Sequence, residues 1–203
     1  MNSVPPRPAP VGRGKKVSVA VHAATLAELV ERGYAALTVD GVAQRAGVHK
    51  TTVYRRWKDK ESLVVDALSD QSAMDVPIPD TGSVETDLRE LARSLVRMMT
   101  GPTGGALLAA MFSGGADVPG IAQARRQIFD DRFRRAEPVV VRAVERGQLP
   151  ADTDPPQLLK ALAAPVYFRL LVTGEPIDEG TADHAAEITL AAARAGVLGE
   201  GRS

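Results

Sequence analysis

Residues 38–60 read TVDGVAQRAGVHKTTVYRRWKDK. Thr38 is a good N-cap for a short helix from Val39 to Ala46, which Gly47 ends. A second short helix, about Lys50 to Arg56, follows almost at once. Two short helices so closely joined must cross steeply to bury a shared face, which demands a small residue at their contact and a glycine in the turn. Ala43 meets the first demand and Gly47 the second, while Val53 is the apolar plug of the second helix. Val39 and Val42 pack inward with them. The order Ala43–Gly47–Val53 is the steric signature of a helix-turn-helix, and it leaves Lys50, Thr51, Thr52, Arg55 and Arg56 facing outward.

Those residue types suit a DNA duplex. Lys and Arg neutralise phosphates, and Arg reads guanine bidentately in the major groove. Thr51 and Thr52 are short enough to let the helix approach the groove, and their hydroxyls, with that of Tyr54, can bind phosphate or base edges. A cation run alone reads more readily as a solvated face. Charge distribution favours the duplex. The chain has 203 residues and no net charge, yet residues 1–60 hold 11 Lys+Arg against four Asp+Glu. The remainder holds 14 bases against 21 acids, so a basic end is attached to an acidic body.

Outward from this stretch the chain reads as helix throughout. From Lys15 the alanines Ala20, Ala23, Ala24 and Ala27, with Val30, recur at helical steps, and Gly33 stops the helix where a left-handed residue is needed. Asp59 can cap a fourth helix from Lys60 to about Ser72. DVPIPDTGS at 75–83 is a linker, and further helices are expected near 84–100, 105–113, 119–147 with a kink or break at Pro138, 155–172 and 181–197. No strand alternation or internal repeat occurs. The expectation is an all-α chain in three parts: a Pro-rich basic arm at 1–14, a DNA-binding domain at 15–75 and a helical body at 76–203.

Several functions are disfavoured. Cys is absent, which removes disulfides, thiolate catalysis and Cys-based metal sites. The three histidines are scattered without metal-ligand spacing, GPTGG at 101–105 lacks the Lys of a phosphate loop, and no G-x-S-x-G turn exists. Neither an enzyme nor a cofactor or metal is expected. Met98 to Ala116 is uncharged but interrupted by five glycines and Pro102, so no membrane span is expected. The first residues are not a signal peptide, and a cytoplasmic location is expected.

ERGYAALTVDGVAQRAGVHKTTVYRRWKDKESLV resembles the N-terminal domain of the TetR family of transcriptional regulators, over roughly residues 15–70. TTVYRRW followed by KE is its most characteristic segment. The resemblance implies three N-terminal helices for DNA, a fourth linking helix, and a divergent helical body that dimerises and binds a small effector. By position it places Lys50, Thr51, Thr52, Tyr54, Arg55, Arg56 and Lys60 where the family contacts DNA. Thr38 falls at the family's capping and phosphate-contact position. Thr51 stands where Gly or Ala is common. His49 replaces a common Ser and is open to phosphate or solvent. Trp57 falls at an aromatic core position, on the helical face of Val53. The arm, with Arg7, Arg13, Lys15 and Lys16, either follows a minor groove or has no role.

In the body, Ala161 to Val172 is apolar almost all round and the last helix is rich in alanine, which suits a homodimer built on the two C-terminal helices. A two-fold dimer would set two recognition helices about one turn of DNA apart, on an inverted-repeat operator. Met98, Met99, Leu108, Met111, Phe112, Ile128, Phe129, Phe133 and Tyr167 are the large adaptable apolar residues; they are either helical core or, as the resemblance implies, the lining of an effector pocket. The functional expectation is a repressor released when a small molecule moves the helix at about 60–72. A non-specific architectural DNA binder is the competing reading.

Overall fold

The computed structural model describes residues 13–72, 77–101, 104, 108, 112 and 118–199. The described elements are all helical: α1 (Arg13–Ala36), α2 (Val39–Arg45), α3 (Lys50–Arg56), α4 (Lys60–Ser72), α5 (Val84–Thr100), α6 (Pro119–Glu145), α7 (Pro155–Phe168), a π-turn (Arg169–Thr173) and α8 (Glu179–Arg194). Apart from one isolated bridge, Thr153 to Gly199, no β pairing occurs among the described residues. Of the expected helix at 105–113, Leu108 and Phe112 are described and helical; its other residues, Met111 included, lie outside the described set, as do arm residues 1–12.

The chain divides into two compact units. The first takes residues 1–72 and 109–122, and the second residues 73–108 and 123–203. The expected cut at 75/76 had counted 109–122 with the body.

In the first unit, α1 packs on α2 and α4, and α2 on α3. Val42, Val53, Leu63, Val64, Ala67, Leu68 and Ile121 are fully buried, and each large one contributes about 2 kcal/mol relative to exposure. The expected α1 stripe is corrected: Val21, Ala24, Thr25, Leu26 and Leu29 are buried, whereas Ala23 and Val30 are exposed. Alanines recur so densely in α1 that their spacing fits several faces, and the bulkier residues choose among them. Gly33 ends the first helical run, as expected, at the non-helical φ 73° and ψ 168°, and past this kink a short second run carries on to Ala36.

The second unit packs α5 against α7 and α8, and α7 against α8. Side chains fix its helix starts. Ser83 accepts from the Thr86 N–H, Asp154 from Gln157, and Asp178 shares a reciprocal capping box with Thr181. Arg93 grips Asp183 with two hydrogen bonds of 2.7 and 2.8 Å, joining α5 to α8. α6 keeps its helical assignment across Pro138, where a kink or break was expected. The carbonyl left without an N–H partner belongs to exposed Arg134. α7 ends four residues earlier than 172, in the π-turn, which Gly174 closes.

Candidate nucleic-acid interface

The turn between α2 and α3 is built from the backbone outward. The Thr38 hydroxyl oxygen accepts the Gly41 N–H at 3.1 Å, which starts α2 and leaves the hydroxyl hydrogen free to donate. At the other end, the N–H groups of Gly47 and Val48 donate to the carbonyls of Gln44 and Ala43, a Schellman closure. It requires the left-handed backbone that Gly47 adopts at φ 65°. Ala43 and Val53 are buried where the two helices meet.

His49 caps α3, a role that sequence reading missed. Its Nδ1 accepts the Thr51 N–H at 3.4 Å and lies 2.9 Å from the Thr51 hydroxyl. The family's usual Ser at this position was the available clue, since both side chains offer an acceptor near the backbone.

Lys50, Thr51, Tyr54, Arg55 and Arg56 are exposed and Thr52 is half-buried. Arg55 forms no ion pair among the described residues. Lys50 lies 3.5 Å from Asp40 of α2, with both side chains open to solvent. The Arg56 guanidinium rests 5.1 Å from the centre of the Trp57 ring. Trp57 itself is buried, as its placement with Val53 implied. Its indole N–H donates to Asp66 at 2.8 Å, and Asp66 also meets His22 Nε2 at 3.0 Å. Asp70 lies 3.0 Å from His22 Nδ1, in ion-pair range but off the hydrogen-bonding line.

Lys60 is engaged within the protein. Its ammonium donates to the carbonyls of Tyr34 and Ala35 at 3.0 and 3.3 Å and lies 4.4 Å from the centre of the Tyr34 ring. One of its three N–H groups remains. Burial pushes the Tyr34 phenol pKa up, aided by the nearby Glu61 and Asp59 charges. Asp59 caps α4 as expected, accepting the Ser62 N–H at 2.7 Å, and this backbone donor, with the Ser62 hydroxyl, holds its carboxyl below the ordinary value.

Not every cation near the turn is available. Arg45 donates to Glu28 at 2.9 Å and forks onto Glu31. Glu28 is 3% exposed, and Arg32 approaches its second oxygen at 3.4 Å. Within the same unit, Glu61 of α4 accepts the Gly120 N–H at 2.7 Å, in the first turn of α6. A Cβ at 120 would overlap the Glu61 carboxylate and push it out of this bond.

The expected effector residues divide. On α6 and α7, Phe129 lies 6.2 Å from Phe133 and 5.3 Å, edge-on, from Tyr167, ring centre to ring centre. Burial pushes the Tyr167 phenol up to about 12, although the nearby Arg132 charge and its bond to the hydroxyl pull the other way. Met99, Leu108 and Ile128 are buried, Met98 is half-buried, and Phe112, in the first unit, is 41% exposed. A cleft of about 230 Å³ opens between α5 and α8, lined by Glu85, Arg89, Ala186, Glu187, Leu190, Ala191 and Arg194. None of the expected residues lines it. Among the described residues no cluster could hold a metal, and no helix is long and apolar enough to cross a membrane.

Two family models cover most of the described chain. Residues 22–67 match the bacterial regulatory proteins of the tetR family, and residues 78–189 match the tetracyclin repressor-like C-terminal domain. The chain belongs to the TetR family. The HTH-type transcriptional regulator AqdR of Rhodococcus erythropolis is 33% identical over 88% of this chain and 86% of its own. The DNA-binding transcriptional repressor TetR of Mycobacteroides abscessus is 31% identical over 83% and 89%. The crystal structure of the TetR family transcription regulator SCO0332 superposes with a TM-score of 0.64 at 32% identity, covering 87% of this chain and 97% of that one. The two-part helical architecture expected from sequence is the TetR architecture. This TetR-family chain is a helix-turn-helix, DNA-binding transcriptional regulator.

Proposed function

We propose that the protein is a homodimeric repressor that binds an inverted-repeat operator and leaves it when a small molecule occupies the C-terminal unit. The observation that carries the DNA reading is how the cations near the turn are used. Arg45 and Arg32 are bound to acids of α1 and Lys50 reaches Asp40 from 3.5 Å, while Arg55 and Arg56 stand exposed and without an acid partner among the described residues, on the helix that His49 caps and Gly47 orients. Lys50, Arg55, Arg56 and the remaining N–H of Lys60 would contact phosphate or guanine. Thr38 would donate its free hydroxyl hydrogen to a phosphate, and Thr51, Thr52 and Tyr54 would complete the face. The repressor named above, similar over most of both chains, supports the sign of regulation.

The dimer reading rests on apolar surface left open at the end of α7 and on α8. Phe168, Val172 and Ile188 are 57%, 68% and 49% exposed, and Leu171 lies beside them in sequence. A second copy would cover them by bringing two helices from each chain together.

For release, Glu61–Gly120 is the relevant bond. It ties α4 to the first turn of α6, and α6 then runs on through residues that belong to the second unit. An effector bound among Met98, Met99, Leu108, Phe129, Phe133 and Tyr167 of the second unit would shift α6 and, through Glu61, α4. The two recognition helices would then no longer fit both half-sites. Such a ligand must bind the released state more tightly than the DNA-bound one.

Binding to duplexes from upstream of its own gene, against an unrelated duplex across a salt series, tests the reading. Two symmetric protected half-sites and a strong preference for one duplex are expected. Equal, steeply salt-dependent affinity for all duplexes would replace it with an architectural role.

A further inference from the structure

The cap on the recognition helix constrains what one of its side chains can read. The Thr51 backbone N–H can only donate, and it points at His49 Nδ1 from 3.4 Å. Nδ1 is therefore an acceptor, and in the neutral ring the hydrogen sits on Nε2. The Thr51 hydroxyl lies 2.9 Å from the same Nδ1. An acceptor cannot donate, so the hydroxyl must, and its single hydrogen is directed into the protein. What the exposed hydroxyl offers outward is lone pairs alone.

Thr38 is the reverse case: its oxygen already accepts, and its hydrogen is free. The two threonines bracket the same turn with opposite hydrogen-bonding polarity. Thr38 suits a phosphate, and Thr51 does not.

We propose that Thr51 is a specificity-determining residue that accepts a hydrogen bond from an exocyclic amine in the major groove. Each base pair presents one such amine there, adenine N6 or cytosine N4, while guanine O6 and N7 and thymine O4 are acceptors. At the position it meets, Thr51 therefore selects adenine or cytosine over guanine or thymine on the contacted strand. His49 is the positioning residue that sets this polarity without touching the base. The inference rests on the DNA-binding reading proposed above and names the base group that one of its residues takes.

The test begins with the full-length chain and a random-core duplex pool. It yields the operator, after which each half-site position is replaced singly by all four bases. One position per half-site is expected to prefer adenine or cytosine by about 5- to 10-fold, the value of one hydrogen bond. Replacing that base with purine or 2-pyrimidinone, which lack the amine, should produce the same loss. Thr51→Val should abolish the preference at that position alone and leave the salt slope unchanged, whereas Thr51→Ser should keep it. His49→Ala frees the hydroxyl to donate and should admit guanine or thymine there; His49→Asn, which restores an acceptor, should exclude them again. A long-range ¹H–¹⁵N spectrum of the free protein should show His49 protonated on Nε2 only. A Thr51-dependent preference for guanine or thymine overturns the proposal. So does a Thr51→Val loss that is equal across all sequences with a shallower salt slope, which marks a phosphate contact. If the wild-type chain selects no sequence from the pool, the DNA-reading proposal fails with it, and that outcome appears before any variant is made.

Discussion

Arg45 and Arg55 belong to the same basic stretch and are put to opposite uses. Arg45 is bound to Glu28 and Glu31, and Glu28 has almost no contact with water. Arg55 is exposed and forms no ion pair among the described residues. Arg45→Ala should therefore lower the midpoint of urea unfolding, because it leaves a buried carboxylate short of a partner. Arg55→Ala should leave that midpoint in place and reduce the log–log salt slope of operator binding by about 1, the share of a single phosphate. Tryptophan fluorescence and a salt titration separate the two. The sequence shows that both are arginine and neither use, since the carboxylates that claim Arg45 lie in another helix. His22, Trp57 and Asp66 were illegible for the same reason: His22 and Asp66 stand 44 residues apart and meet only when α1 packs on α4.

Among the elements, the helix-turn-helix was the most legible because its constraints are local. Glycine takes the φ of 65° at Gly47 without strain, and Ala43 and Val53 must be small and apolar where two helices touch. Gly47→Ala should cost about 1–2 kcal/mol for the left-handed backbone and weaken operator binding by misdirecting α3, as unfolding and anisotropy titrations would show. α1 was less legible because alanine spacing alone does not distinguish its faces. Its buried side is chosen by Val21, Leu26 and Leu29 once α2 and α4 are in place. In α7, burial raises the Tyr167 phenol to about 12 from an ordinary value of 10.0. The folded state thus holds this proton more tightly than the unfolded state. Its contribution to stability is complete below pH 10, and is lost as pH rises toward 12. Tyr167→Phe should flatten urea-midpoint profiles between those limits.

For the whole molecule, the consequential surface is the one a second copy would cover. Phe168→Glu with Ile188→Glu places charge at exposed sites on α7 and α8, so folding should survive while the sedimentation coefficient falls to that of a monomer. Affinity for a full inverted repeat should then drop to that for a single half-site. Composition had already suggested such a surface, since Ala161 to Val172 carries more apolar residues than one face can bury. Which of them stay exposed depended on where α7 stops and the π-turn begins, and sequence periodicity does not show that boundary. The uninterrupted course of α6 has a consequence of its own. Taken as a straight rod, its 27 residues would measure about 40 Å. A tilt of about 5° at one end of such a rod displaces the other by about 3.5 Å, close to the rise of one base pair. On the release mechanism proposed above, a ligand that leaned on this helix would need no unfolding or large closure to displace α4, through Glu61, by one step along the double helix.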